Sequence, residues 1–306
     1  LQKQKTIMKK LLSLAAFGLL VTVSSCSKDD DEGTRDRKAP TIEAAEGRDA
    51  IRPAHGEVRA ATTDHMHVRF RVRDESGIEQ VLVDIHHGFD GHSHGKTSGT
   101  FETLNYRKIY EVGGAKSFNI DSNFDDVYWG GSASVVSDNV LAGPYHFSID
   151  ASDIHSNQTS AASGTNYQIM FYIERPYAPV ISITNLEDGE LEGEKNEPLD
   201  VQGSIAKTAH NLSSDIAFVW VRLVEEDDHH NKTSDGEIYE EKWGTSQWRN
   251  ATGKALPSTT QIDLSQLLSG ADEIRLPNEH GHFELIIWVE DVEGNVVEKK
   301  YEVHVD

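Results

Sequence analysis

The segment His65-Met66-His67-Val68-Arg69-Phe70-Arg71-Val72-Arg73 puts an apolar residue at every even position and a polar one at every odd position. Successive side chains of an extended strand point to opposite faces, so this alternation specifies a strand with one face in a core and the other in water. A helix would spread the same residues around its whole circumference and bury none of them well. The pattern recurs. In Ile78 to His86, Val81, Val83 and Ile85 share one side while Leu82, Asp84 and His86 share the other. Tyr145, Phe147 and Ile149 alternate with His146, Ser148 and Asp150, and Tyr167 to Ile173 supplies a closing strand. Asp74-Glu75-Ser76-Gly77 reads as a turn between the first two of these strands. No comparable helical stripe is present, and short strands separated by turn signals argue for a β-sandwich.

The second half of the chain echoes the first. Ala39-Pro40-Thr41-Ile42 returns as Ala178-Pro179-Val180-Ile181, each an X-Pro entry to a first strand. Ile78 to His87 is echoed by Ile216 to His230, Gly143-Pro144-Tyr145-His146-Phe147 by His280-Gly281-His282-Phe283, and Asp153-Ile154-His155-Ser156-Asn157 by Asp291-Val292-Glu293-Gly294-Asn295. The expected fold is therefore all-β, with two tandem immunoglobulin-like antiparallel β-sandwich domains over residues 39–175 and 176–306. The inserts 96–142 and 231–276 are expected to hold loops, extra edge strands and a short helix around Leu264 to Leu268.

Ahead of the sandwiches, Lys9 and Lys10 precede an apolar run from Leu11 to Val23, which ends in Ser24-Ser25-Cys26. This order of basic, apolar and small residues is that of a secretory signal, and the run is too short to span a bilayer. Residues 1–25 are expected to be a signal peptide with an upstream extension before Met8, and residues 26–38 a lipidated cysteine followed by an acidic tether. The segment resembles the lipobox of bacterial lipoproteins, and Ser27-Lys28-Asp29-Asp30-Asp31-Glu32 resembles the export signal of Bacteroidetes-type surface lipoproteins. The resemblance implies an anchor at Cys26, a place in the outer membrane and exposure at the cell surface.

With 51 acidic against 29 basic residues and a formal charge of −22, the chain repels nucleic acid and attracts cations. Its single cysteine leaves no structural disulfide, so stability must come from apolar cores and any bound metal.

The segments Asp74-Glu75-Ser76-Gly77-Ile78, Ile85-His86-His87-Gly88-Phe89-Asp90-Gly91-His92-Ser93-His94-Gly95 and Pro144-Tyr145-His146-Phe147, followed by the Asp-x-x-x-Asn turn, resemble the lipoprotein family known as domain of unknown function 4625. That resemblance implies an immunoglobulin-like fold and a histidine-rich surface, and it carries no activity with it.

Fifteen histidines are placed unevenly along the chain. In an immunoglobulin-type sandwich the starts of the second and sixth strands and the end of the third share one pole, which gathers His65, His67, His86, His87, His92, His94 and His146. Neutral imidazole suits zinc, copper or nickel, and two histidines two apart on a strand project from the same face. The strand-end histidines and the loop His92-Ser93-His94 are expected to supply three or four nitrogens to one ion, zinc foremost, at about 2.0 to 2.1 Å. A poorer second set lies in the second domain, at Asp228, His229, His230, His280 and His282, with Glu225 and Asp227 beside it. His55, His155, His210 and His304 read as isolated.

The sequence contains no phosphate-binding loop, dinucleotide fingerprint or H-E-x-x-H zinc motif. The expected role is a surface lipoprotein that captures a divalent transition metal and hands it to an outer-membrane transporter. The competing expectation is an adhesion or glycan-binding module, with Trp129, Trp243 and Trp248 stacking on sugars and no metal function.

Overall fold

The computed structural model describes residues 36–89, 100–130, 134–226 and 232–306. The expected signal segment, Cys26, His92, His94, Asp228, His229 and His230 lie outside the described residues.

The first half forms β1 (Thr41–Glu43), β2 (Val58–Arg59), β3 (His65–Met66), β4 (Phe70–His87), β5 (Tyr106–Ile120), β6 (Val127–Tyr128), β7 (Gly143–Asp153) and β8 (Tyr167–Ile173). The second half forms β9 (Val180–Ile183), β10 (Leu191–Gly193), β11 (Gly203–Ala206), β12 (Ile216–Glu226), β13 (Lys232–Gly244), β14 (Gln261–Asp263), β15 (Gly281–Asp291) and β16 (Val296–Val305). A short helix, α1 (Leu264–Leu267), follows β14 where the sequence predicts it. Asp263 caps it by accepting from the Gln266 amide, while Leu264 and Leu267 are buried beneath it.

The turn expected at Asp74–Gly77 is not a loop. β4 runs 18 residues without a break, and β5 pairs along it from Phe70–Ile120 to Ile85–Tyr106. The ladder skips from Arg73–Ser117 to Ile78–Ala115 and again to Gln80–Glu111, and within the second skip Gly113 and Gly114 sit in the left-handed region at φ 68° and 90°. Here the two-stranded ribbon folds over. Tyr110 and Phe118 are eight residues apart on β5, about 26 Å in a straight strand, yet their rings are 5.1 Å apart. Gly77 is required at the corner: its φ is 118°, and a Cβ there would lie 2.5 Å from the Gly114 carbonyl oxygen.

Folding the ribbon makes the sandwich. The leg Phe70–Arg73 pairs with β1, the leg Ile78–His87 pairs with β7, and β8 and β2 extend the latter sheet. Phe70, Val72, Val81, Val83 and Ile85 are buried between the legs with Phe147, Ile149 and Phe171. The second half is built from a five-stranded sheet, β10-β16-β15-β12-β13, and a three-stranded one, β14-β11-β9. The fold is all-β and immunoglobulin-like.

Among the described strands, none of β1–β8 pairs with any of β9–β16, yet residues 36–306 form one compact unit. Phe218, Trp248, Trp288 and Val296 of the second half belong to the first half's core. The Trp248 ring lies 4.7 Å from Phe89 and 5.5 Å from His87, and its Nε1 donates to the Gly294 carbonyl. Ala142 donates its amide to Asn295 Oδ1 and accepts from the Val296 amide.

Candidate metal centres

β3 is pinned to β6 by the pairs His65–Tyr128 and Met66–Val127, with Met66, Val68 and Val127 buried. His65 and His67 therefore point outward, with ring centroids 4.8 Å apart and nearly perpendicular. Each ring has a carboxylate behind it. His65 Nδ1 lies 2.9 Å from Asp64 Oδ1 and His67 Nδ1 lies 3.0 Å from Asp126 Oδ2. Since a carboxylate only accepts, these contacts place the proton on Nδ1 and turn the Nε2 lone pair outward. Arg69 Nη2 is 3.3 Å from His67 Nδ1, a longer approach that a protonated Nδ1 does not use. The hydrogen bond from His65 is the first cause holding the Asp64 carboxyl below its ordinary range. Asp126 is almost wholly enclosed and anchored by Arg69 Nη1, while Arg69 Nη2 donates to Asn123. His65, His67 and Asp126 each offer a ligand atom within 4.8 Å of the others.

A second pair forms where β4 meets β7. His86 and His146 are direct cross-strand partners with ring centroids 5.4 Å apart, and His86 Nδ1 lies 2.7 Å from Asp84 Oδ2. The sheet face around them is acidic. Burial is the leading cause of the raised Asp150 carboxyl pKa; the Asn166 hydrogen bond opposes it and the Asp84 charge adds to it.

The two pairs cannot share an ion, because the expected convergence overlooks the sandwich. All four histidines point away from the core, but His65 and His67 do so from the β3 segment that runs into the first leg, and His86 and His146 from the second leg and its partner β7. Tyr110 and Phe118, cross-strand neighbours of the inward Val81 and Val72, meet between the legs, so the outer faces look in opposite directions. His87 is corrected too. It alternates onto the inner side and is buried against Phe89 and Trp248, away from any surface ion.

In the second half, His280 is engaged elsewhere: its Nε2 lies 2.6 Å from Lys195 Nζ and its Nδ1 lies 3.2 Å from the Val305 carbonyl. His282 instead meets His304, which the sequence leaves isolated, with ring centroids 5.2 Å apart. Glu192 and Asp306 gather around His304. Sequence reasoning missed all three, although the buried Val303 and Val305 flanking His304 carried the signal that it faces outward. Trp129, Trp243 and Trp248 are buried, so none of them offers a stacking platform for sugars.

Comparison with known families bears on the first half of the molecule. Residues 24–170 match the family described as Domain of unknown function (DUF4625). All seven histidines of the first candidate set lie within the matched DUF4625 segment, and the second sandwich lies beyond it. No curated protein matches the chain. Solved structures similar to it include fibronectin(III)-like modules of Clostridium thermocellum CbhA, at 11% identity and a TM-score of 0.23, covering 87% of this chain and 94% of that one. A tetra-tandem repeat from the extending region of a large adhesion protein is 12% identical, with a TM-score of 0.28, over 88% of this chain and 49% of its own. Dimeric latent PorU from Porphyromonas gingivalis is 13% identical, with a TM-score of 0.26, over 90% of this chain and 21% of its own.

Proposed function

We propose that the first sandwich binds a divalent transition metal, zinc foremost, at His65 and His67, with Asp64 and Asp126 behind the rings, and that a second two-histidine site lies at His86 and His146 on the opposite face. The observation that carries this is the carboxylate behind the ring: Asp64, Asp126 and Asp84 each take the Nδ1 side of an outward histidine. That arrangement orients the ring and raises its basicity as a ligand, and it is what a metal-binding histidine usually has. Two protein ligands leave coordination positions for water or an acceptor, which suits capture and release better than a closed structural site. The acidic surface draws cations toward these sites.

In this reading the protein is a non-enzymatic lipoprotein held in the outer membrane through Cys26, surface-exposed, passing its metal to a transporter and having no dealings with nucleic acid. Burial of Trp129, Trp243 and Trp248 takes the stacking tryptophans out of the adhesion alternative and leaves it the acidic loops.

Calorimetric zinc titration of the tag-free mature protein is the test. Changing His65 and His67 to Ala should remove the stronger binding event, and changing His86 and His146 to Ala the weaker one. Unchanged isotherms in both variants would overturn the proposal.

A further inference from the structure

We propose a separate zinc site on the second sandwich, formed by Glu192, His304 and Asp306 with His282 alongside. It uses none of the residues of the first-sandwich sites and stands or falls without them. Glu192, His304 and His282 lie in one row across β10, β16 and β15, since Glu192 pairs with His304 and His304 pairs with His282. Adjacent strands are about 4.8 Å apart, so three residues in such a row on one face are immediate neighbours. The face is fixed by the core beneath: Leu191, Val303, Val305 and Phe283, which alternate with the row, are all buried. The row must therefore point outward, and no backbone movement is needed to present it.

The chemistry of the row is that of a borderline metal. Glu192, His304 and Asp306 offer ligand atoms within 4.8 Å of one another, and the His282 ring lies 5.2 Å from that of His304. A tetrahedral zinc ion requires ligand atoms roughly 3.4 Å apart. Rotation of the exposed Glu192 and Asp306 side chains can close that gap. Two imidazoles with two carboxylates favour zinc over calcium or magnesium, which take oxygen ligands. Among the described residues, neither Glu192 nor Asp306 is in an ion pair with lysine or arginine, and the ion pair of Asp306 is with His304 at 3.2 Å. A divalent cation would balance the carboxylates of Glu192 and Asp306, and would clamp the three-residue β10 to β16.

The test is made in the tag-free mature protein with His65, His67, His86 and His146 changed to Ala, so that the outcome at those residues has no bearing on it. Zinc chloride is titrated in, with binding followed by calorimetry and the histidine imidazole signals by nitrogen-15 NMR. One remaining zinc should perturb the His304 and His282 imidazoles. Adding His304→Ala should weaken that event at least about tenfold, more than loss of an outer-sphere partner does at the low end. Glu192→Gln should weaken it less, and His280→Ala should leave it unchanged. Two results would overturn the site: no zinc bound by the folded four-alanine protein, or residual zinc bound equally well with and without His304.

Discussion

The two sandwiches use the same ladder differently. In the first, the row running through His146 reads His86, His146, Met170 across β4, β7 and β8. In the second, the row running through His282 reads His282, His304, Glu192 across β15, β16 and β10. Met170 and His304 hold equivalent places beside their histidines, so one half-buried residue moves the metal-ligating chemistry a strand over. The Asp-x-x-x-Asn turns make the same contrast in a buried setting. Asn157 and Asn295 each donate their amide and side-chain nitrogen to Asp153 and Asp291, with Ser156 and Gly294 in the left-handed region. Burial raises both carboxyl groups. At Asp153 it is outweighed by Asn157, the His155 amide and Ser76, and the pKa falls; at Asp291 burial wins and the pKa rises. A shared scaffold fixes where a residue sits, and its neighbours set what that residue does.

The comparison breaks most severely at the joint between the sandwiches. Trp248 belongs in sequence to the second and in packing to the first, so Trp248→Ala should destabilise both together by about 3–5 kcal/mol. Denaturant unfolding followed by circular dichroism should show one transition at lower denaturant. Two separated transitions, with the first sandwich unaffected, would mean that the halves are energetically independent.

Next in size is the contrast between the turns. Asp153→Asn disturbs a carboxylate that accepts four hydrogen bonds and should cost about 1–3 kcal/mol at neutral pH. The sign of the pH response differs between the two groups. The lowered Asp153 contributes stability above the unfolded carboxyl value of about 3.9, lost as pH falls through its folded value. The raised Asp291 contributes stability that is full below about 3.9 and is lost as pH rises through its folded value. Asp291→Asn should therefore cost less at neutral pH than Asp153→Asn. Stabilities measured from neutral pH down to acid check the order, and equal costs with parallel pH profiles would refute it.

Met170→His sharpens the comparison of the rows. It places a third imidazole beside His146 and His86 and should tighten zinc binding at that face by at least about tenfold, since loss of a mere outer-sphere partner already costs that much. Titration calorimetry reads it directly, and no change would show that the row is not oriented to share an ion. The smallest effect is expected at the Lys299–Glu174 ion pair, which also crosses between the sandwiches. Its two side chains are well exposed, so Glu174→Gln should change stability by no more than about 1 kcal/mol. Thermal unfolding in low and high salt would detect a larger role.

Several elements could be read from the chain alone because their causes are local. The legs of β4 and the strand β7 alternate cleanly, α1 carries its own cap at Asp263, and the two Asp-x-x-x-Asn turns are closed by residues four apart. β5 was hidden. Tyr106, Lys108, Tyr110 and Val112 alternate with Arg107, Ile109 and Glu111, so polar and apolar residues occur on both sides, and Gly113-Gly114 resembles a loop. The merged core was hidden as well, since nothing near Trp248 in sequence indicates that it packs on Phe89.

For the histidines, the sequence determined which side of its own strand each one takes, because alternation is a property of neighbouring residues. It could not determine what lies on that side. The direction of an outer face depends on which sheet the strand joins, and that was decided by the ribbon folding at Gly77 and Gly113-Gly114, which sends His65 and His67 one way and His86 and His146 the other. The partnership of Glu192, His304 and His282 is a matter of register between strands far apart in the chain. Such neighbours exist only after β10, β16 and β15 have paired, because cross-strand contact is set by the ladder and not by distance along the sequence.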